Sequence, residues 1–232
     1  MPLPILDVPT YELNLPSTGK SVRFRPFLVK EHKILLTMAE ASEDEVIRII
    51  NEIVDVCTFN KLNVKELPHF DIEYIFMHLR AKSISEKVEV IITCGSCKQS
   101  YDSYFNIENL KIERSSDHNN KIMINENIGI EMSYPKFNAV VNLFETNNMD
   151  SVFKMVKSSI KGIFQQDQYW ETENQTDEDL DNFLNSLTKE QFEKIEKFFL
   201  TSPKVVQEID SECPHCNHKN VSKIEGLQNF FV

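Results

Sequence analysis

Glycine is scarce in this chain of 232 residues, five in all. None of them builds a G-x-G-x-x-G or G-K-[ST] loop, which excludes a nucleotide-phosphate cradle. Basic residues are also short: 25 Lys and Arg stand against 36 Asp and Glu, a formal net charge of −11. A chain that grips nucleic-acid phosphates non-specifically needs a basic surface, and so does one that docks on an anionic leaflet, so the charge argues against both. It is compatible with a partner that carries basic patches. No apolar run approaches the roughly 18 residues needed to span a bilayer. The opening M-P-L-P-I-L-D-V-P has no basic region and carries three prolines, so it does not read as a signal peptide. The expectation is a reducing cytoplasm, where disulfides are disfavoured. Catalytic signatures are missing as well. The six histidines are scattered and no serine sits in a G-x-S-x-G elbow. The acidic run Glu171 to Asp181 lacks the glycine and ligand spacing of a calcium loop and reads as a solvated helix start. No enzyme activity and no small-molecule substrate are expected.

What is present suffices for a globular core: 41% of residues are hydrophobic and 26% charged. Thr10–Leu15 and Ser21–Phe27 alternate polar and apolar residues around P-S-T-G-K, which predicts a hairpin with Gly19 at positive φ. Lys30–Ala39 reads as a helix with Ile34, Leu35 and Met38 on one face. Ser42 and Glu45 form a capping box for a second helix ending near Cys57, and a third starts around Asp71. Lys87–Thr93 and Ser100–Phe105 are predicted strands, and Lys121–Ile124 with Ile128–Met132 a further hairpin. Helices are predicted over Phe137–Phe144 and Ser151–Phe164, and Gln165–Thr176, with Tyr169 and the only tryptophan, Trp170, is read as a loop. Thr176 and Thr188 look like N-caps of two more amphipathic helices, the second stopped by Pro203. Val205–Ile209 and Asn220–Ile224 close the series as strands, with an apolar tail, G-L-Q-N-F-F-V, expected to dock.

Two C-x-x-C pairs stand out: Cys94-Gly-Ser-Cys97 and Cys213-Pro-His-Cys216, each at a predicted strand–turn–strand. Such a turn is a zinc knuckle, in which two thiolates face one side and backbone amides stabilise their charge. Two knuckles complete a four-cysteine site, nominating Cys94, Cys97, Cys213 and Cys216 as ligands of a structural Zn2+. The 115 residues between Cys97 and Cys213 would then form an insertion on the ribbon. A lone strand pair is marginal in water, whereas structural zinc contributes on the order of 10 kcal/mol to folding. The rivals are a thioredoxin-like dithiol, four unligated buried thiols, a cluster or another metal, or a histidine (His215 or His218) replacing one cysteine. A dithiol needs the pair at a helix N-terminus with further strands behind it, yet only 16 residues follow Cys216. A closed shell of four thiolates leaves no position for water, so such a metal would be structural. Cys57, on the apolar side of a helix, reads as a core residue.

The resulting fold class is α+β. An N-terminal β-hairpin and small helical cluster occupy residues 1–84. Residues 85–232 hold a zinc-ribbon-like β element with two C-x-x-C knuckles and a helical insertion, 135–202, between them; both parts also read as one continuous domain. The alternative function from residues alone is a zinc-ribbon nucleic-acid-binding regulator, although the lysines near the knuckles (Lys87, Lys98, Lys204, Lys219 and Lys223) are interleaved with acids.

Four passages carry a resemblance: L-P-S-T-G-K-S-V-R-F-R-P-F-L-V-K-E (Leu15 to Glu31), V-E-V-I-I-T-C-G-S-C (Val88 to Cys97), L-T-K-E-Q-F-E-K-I-E-K-F-F (Leu187 to Phe199), and the ending from C-P-H-C to G-L-Q-N-F-F. With them the chain resembles the baseplate hub subunit, or hub assembly protein, family of T4-type contractile-tailed bacteriophages. The resemblance implies a non-enzymatic component of the virion tail baseplate, made in the host bacterial cytoplasm, whose partners are other baseplate and hub proteins rather than nucleic acid or membrane. It also offers a use for Trp170, Phe230 and Phe231 as anchors at protein–protein interfaces. Arg23 and Arg25 are expected to share a strand face, paired with an acidic partner or solvated.

Overall fold

The computed structural model describes residues 6–38, 41–140 and 149–225. The tail 226–232, with Phe230 and Phe231, and the second half of the expected helix 137–144 lie outside the described residues. Contacts gather the chain into two compact units, Met1–Glu113 with Lys204–Val232, and Arg114–Pro203. The class is α+β, helices with small antiparallel sheets. No described helix is long and apolar enough to cross a membrane.

In the first unit, β1 (Tyr11–Asn14) pairs with β2 (Ser21–Phe24), and Gly19 takes φ 71° in the turn between them, as the alternation and the turn cluster predict. The turn is fastened to helix α3 (His69–Ser83). The Ser17 N–H donates to Asp71 Oδ1 at 3.0 Å and the Ser17 hydroxyl donates to Asp71 Oδ2, so the buried carboxylate is satisfied. Helix α1 (Val29–Leu35) is short, and its expected apolar face is only partly covered: Ile34 is exposed, Leu35 and Met38 are half-buried, and Glu31 is the buried residue. Glu31 accepts from Leu28 N–H at 2.7 Å and from Arg25 Nη2 at 2.9 Å. Arg25 therefore does not share the exposed strand face of Arg23. It lies just past β2, buried in an ion pair, while Arg23 stays outside beside Glu12 at 3.8 Å.

Helix α2 (Glu43–Cys57) starts at the expected capping box, with Ser42 N–H donating to Glu45 at 2.9 Å. Ile49, Ile50, Ile53, Val54 and Cys57 point inward. Helix α3 is buried on more than one stripe: beside Ile72, Ile75, Phe76 and Leu79, Phe70, Met77 and Ala81 are buried too. It packs against α2 on one side and against strand β10 (Lys204–Glu212) on another, so one apolar face would not serve. Two ribbons complete the unit. Strand β3 (Lys87–Thr93) pairs with β4 (Ser100–Asn106), and β10 lies between β11 (Lys219–Glu225) and the unpredicted β5 (Lys111–Glu113). Strand β4 also contacts β10, where Tyr101 OH lies 2.7 Å from Ser211 Oγ.

The second unit is a four-stranded sheet with helices. Strands β6 (Lys121–Met123), β7 (Ile128–Met132), β8 (Ile160–Gln165) and β9 (Gln168–Glu171) run antiparallel in that order. Helices α4 (Met149–Ser159), α5 (Asp177–Asn185) and α6 (Lys189–Thr201) flank it. Ile130, Met132, Val156, Ile160, Leu184, Ile195 and Phe198 form the unit's own core. Helices α5 and α6 begin at Thr176 and Thr188 with the predicted caps. Two expectations fail here. The helix predicted to Phe164 stops at Ser159, where the Ser158 and Ser159 hydroxyls both bond back to the Met155 carbonyl, and the chain turns straight into β8. The region read as a loop contains β9, joined to β8 by a tight turn in which Gln166 takes φ 52°. That conformation is usually given to Gly or Asn, so the turn carries no flag in the sequence.

Candidate metal centre

The Cys94–Cys97 pair lies in the loop from β3 to β4, beyond the last register pair Thr93↔Ser100. The Cys213–Cys216 pair lies in the loop from β10 to β11, beyond Glu212↔Lys219. The two loops repeat one backbone pattern. Cys94 N–H donates to Gln99 O and Lys98 N–H to Cys94 O, at 2.9 and 3.1 Å. Cys213 N–H donates to His218 O and Asn217 N–H to Cys213 O, both at 2.9 Å. Lys98 and Asn217 occupy the same place in each loop, at φ 62° and 58°. Each loop thus folds its two sulfurs to one side by a left-handed residue that neither sequence marks with glycine.

The fold of the first unit brings all four cysteines together, their sulfurs within 4.8 Å of one another. Cys94 Sγ is 3.7 Å from Cys216 Sγ, and Cys97 Sγ is 3.7 Å from Cys213 Sγ. No disulfide joins them. A tetrahedral ion with metal–sulfur bonds of about 2.3 Å requires sulfur–sulfur edges of about 3.8 Å, which these two distances match. The arrangement could therefore hold a metal ion. Cys94 and Cys213 are buried, Cys97 is half-buried and Cys216 reaches the surface.

The electrostatics show the cost of gathering four thiols. Burial pushes the Cys94 thiol up, but the Cys97 and Ser96 amides, the Asn220 side chain and Cys216 outweigh it, and its pKa falls to about 6. At Cys97 the Gln99 amide acts downward, yet burial and the three neighbouring sulfurs prevail and push the thiol up to about 11. Within the cluster, the environment thus favours the thiolate at Cys94 and disfavours it at Cys97.

One residue of the site escaped sequence reasoning. Asn220, buried at the start of β11, reaches across to the other knuckle: its Oδ1 accepts from Gly95 N–H at 2.9 Å, and its Nδ2 donates to Cys94 Sγ at 3.6 Å. The same amide nitrogen lies 3.0 Å from Tyr101 OH, which meets Ser211. Nothing in the string N-H-K-N marks this asparagine. Its only cue is its place next to the second cysteine pair. His215 and His218 are exposed and stand outside the sulfur cluster. Cys57 is buried, and burial pushes its thiol up to about 11, as suits a core residue.

No curated protein and no solved structure matches the chain. The model of the family described as T4 bacteriophage base plate protein matches residues 8–232, both cysteine pairs included. The match covers nearly the whole chain, and the protein therefore belongs to the T4 bacteriophage base plate protein family.

Proposed function

We propose that the protein is a non-enzymatic part of the baseplate hub, either a permanent hub subunit or the factor that assembles the hub. In this reading Zn2+ held by Cys94, Cys97, Cys213 and Cys216 staples its two ribbons together. The family match over residues 8–232 carries the baseplate role. The four-sulfur cluster, with edges suited to a tetrahedral ion, supports the zinc staple. A structural ion here would join chain segments more than a hundred residues apart, where loop entropy opposes closure most. The protein would be made in the host bacterial cytoplasm and act through other baseplate and hub proteins, without nucleic acid, membrane or small substrate.

Two measurements test this. Plasma mass spectrometry on protein purified without chelator should find one zinc per chain, and thiol titration should find Cys94, Cys97, Cys213 and Cys216 protected until denaturation. Metal-free protein with freely reactive thiols would overturn the staple. Mass spectrometry of purified virions separates the hub roles: presence supports a permanent subunit, and presence only in assembly intermediates supports an assembly factor. Absence from both would overturn the baseplate role.

A further inference from the structure

Three features of the second unit coincide. Strand β9 is an edge of its sheet, and all four of its residues are exposed. A half-open groove of about 280 Å³ runs between the sheet and helix α5, walled by Ile128, Ile163, Trp170, Leu180 and Phe183, with Asp179 at its rim. The segment from Gln165 to Asp181, which supplies most of that wall, holds seven acidic residues and no Lys or Arg. Asp177 and Asp181 are engaged by Lys157, and the Asp179 carboxylate accepts from the N–H and hydroxyl of Thr176, the N-cap of α5. Among the described residues no ion pair reaches Asp167, Glu173 or Glu178, and all three are exposed.

These features differ from a solvated helix start. An acidic first turn suits the helix dipole without any groove. Here Asp179 lines an apolar slot that leaves Trp170 37% exposed, and Asp167, Glu173 and Glu178 lie on the chain segment that supplies most of its wall, beside a strand whose outer edge is unpaired among the described residues. Large aromatics at the centre of a slot with a polar rim are the usual anchors of interfaces, and an open strand edge between sheet and helix accepts an extended segment by strand addition.

We propose that this groove docks an extended, basic segment of a partner protein. One large apolar side chain of the segment packs on Trp170 and Phe183, its backbone adds to β9, and flanking Lys or Arg side chains pair with Asp167, Glu173 and Glu178. The proposal rests on the reading that the protein acts through contacts with other baseplate proteins, and it names the chemistry of one such contact. The occupant is a different protein rather than a second copy, because two chains of charge −11 repel.

Trp170 is the only tryptophan, so its emission reports on this groove alone. The probe is a labelled K-V-R-F-K-V-R peptide added to the full-length protein. Controls are E-V-E-F-E-V-E, of opposite charge, and K-S-R-S-K-S-R, of equal charge without apolar anchors. The expected result is saturable binding of the first peptide with a blue shift of Trp170 emission, weakened by salt. Glu173→Lys/Glu178→Lys should weaken it at least about tenfold by reversing the rim charge. These exposed positions leave the core intact, and Trp170→Ala provides the second variant, read by peptide anisotropy. Several results would overturn the proposal: no change in Trp170 emission, equal binding of the serine peptide, or self-association through this face that the peptide displaces. Because the assay requires no virion, its failure leaves the baseplate role to the separate virion measurement.

Discussion

Asn220 and Cys94 stand 126 residues apart in sequence, yet the asparagine amide donates to the Cys94 sulfur at 3.6 Å while its carbonyl oxygen accepts from the neighbouring Gly95 N–H at 2.9 Å. The second ribbon thereby orients the first knuckle through one side chain. If the cluster binds zinc, Asn220 is a positioning residue, since groups that hydrogen-bond ligands commonly tune affinity about 10–100-fold. Asn220→Ala should weaken zinc retention by that order in a chelator competition, with one zinc per chain still bound at saturation. Unaltered retention would show that the amide only fills space.

If the cluster holds zinc, chelation should affect the two units differently. A metal staple would join the β3–β4 ribbon to the β10–β11 ribbon, whereas the second unit has a core of its own around Ile130, Ile195 and Phe198. A strong chelator is expected to lower the Tm of the first unit and expose the four cysteine thiols, while Trp170 emission stays native. Cys213→Ser should produce the same pattern without chelator. A redox dithiol would instead tolerate that substitution with its fold intact.

The Arg25–Glu31 pair makes a pH prediction. Burial raises the Glu31 pKa, but Arg25 and the Leu28 amide outweigh it and hold the carboxyl below its usual 4.5. A lowered folded-state pKa means the pair's contribution is present above pH 4.5 and is lost as pH falls through the folded value. Urea unfolding should show stability declining in that acid window, and Glu31→Gln should flatten this part of the profile. Glu31→Ala leaves Arg25 buried without its partner and is expected to cost about 3–5 kcal/mol at neutral pH.

Gly129 faces Phe164 across the β7–β8 register, and a Cβ at Gly129 would lie 2.1 Å from the Phe164 ring. The ring must swing away to admit it. Gly129→Ala should cost about 1 kcal/mol, the low end for overpacking because the ring is half-buried and can move. Pairing it with Phe164→Ala should remove most of the interaction, which a double-mutant cycle in thermal unfolding would measure.

Elements with strong local signals were legible in the sequence. The capping boxes at Ser42 and Thr188 carry their own hydrogen-bond chemistry within four residues, and Lys87–Thr93 alternates buried and exposed residues along its whole length. Both hairpins with asparagine or glycine turns were readable for the same reason. Elements whose reasons are non-local were missed. Strand β5 has three residues and exists because β10 offers it an edge. In strand β8, I-K-G-I-F follows an amphipathic run without a break, so its local pattern is helical. Its strand character comes from pairing with β7 and β9 on its two sides. The buried Arg25 looked like any alternating strand residue, and only Glu31 in the next helix explains it.

The sequence by itself determined the two knuckles, since each C-x-x-C turn is closed by hydrogen bonds within six residues, and it determined the absence of a nucleotide loop. Tertiary structure decided that the knuckles face each other, with sulfurs 3.7 Å apart and Asn220 between them. It also decided that Trp170 stands at an edge strand beside a groove rather than in a loop. The physical reason is the same in both cases. Local spacing sets the conformation of a few residues, but which surfaces meet across a hundred residues depends on the shared burial of the strands and helices between them.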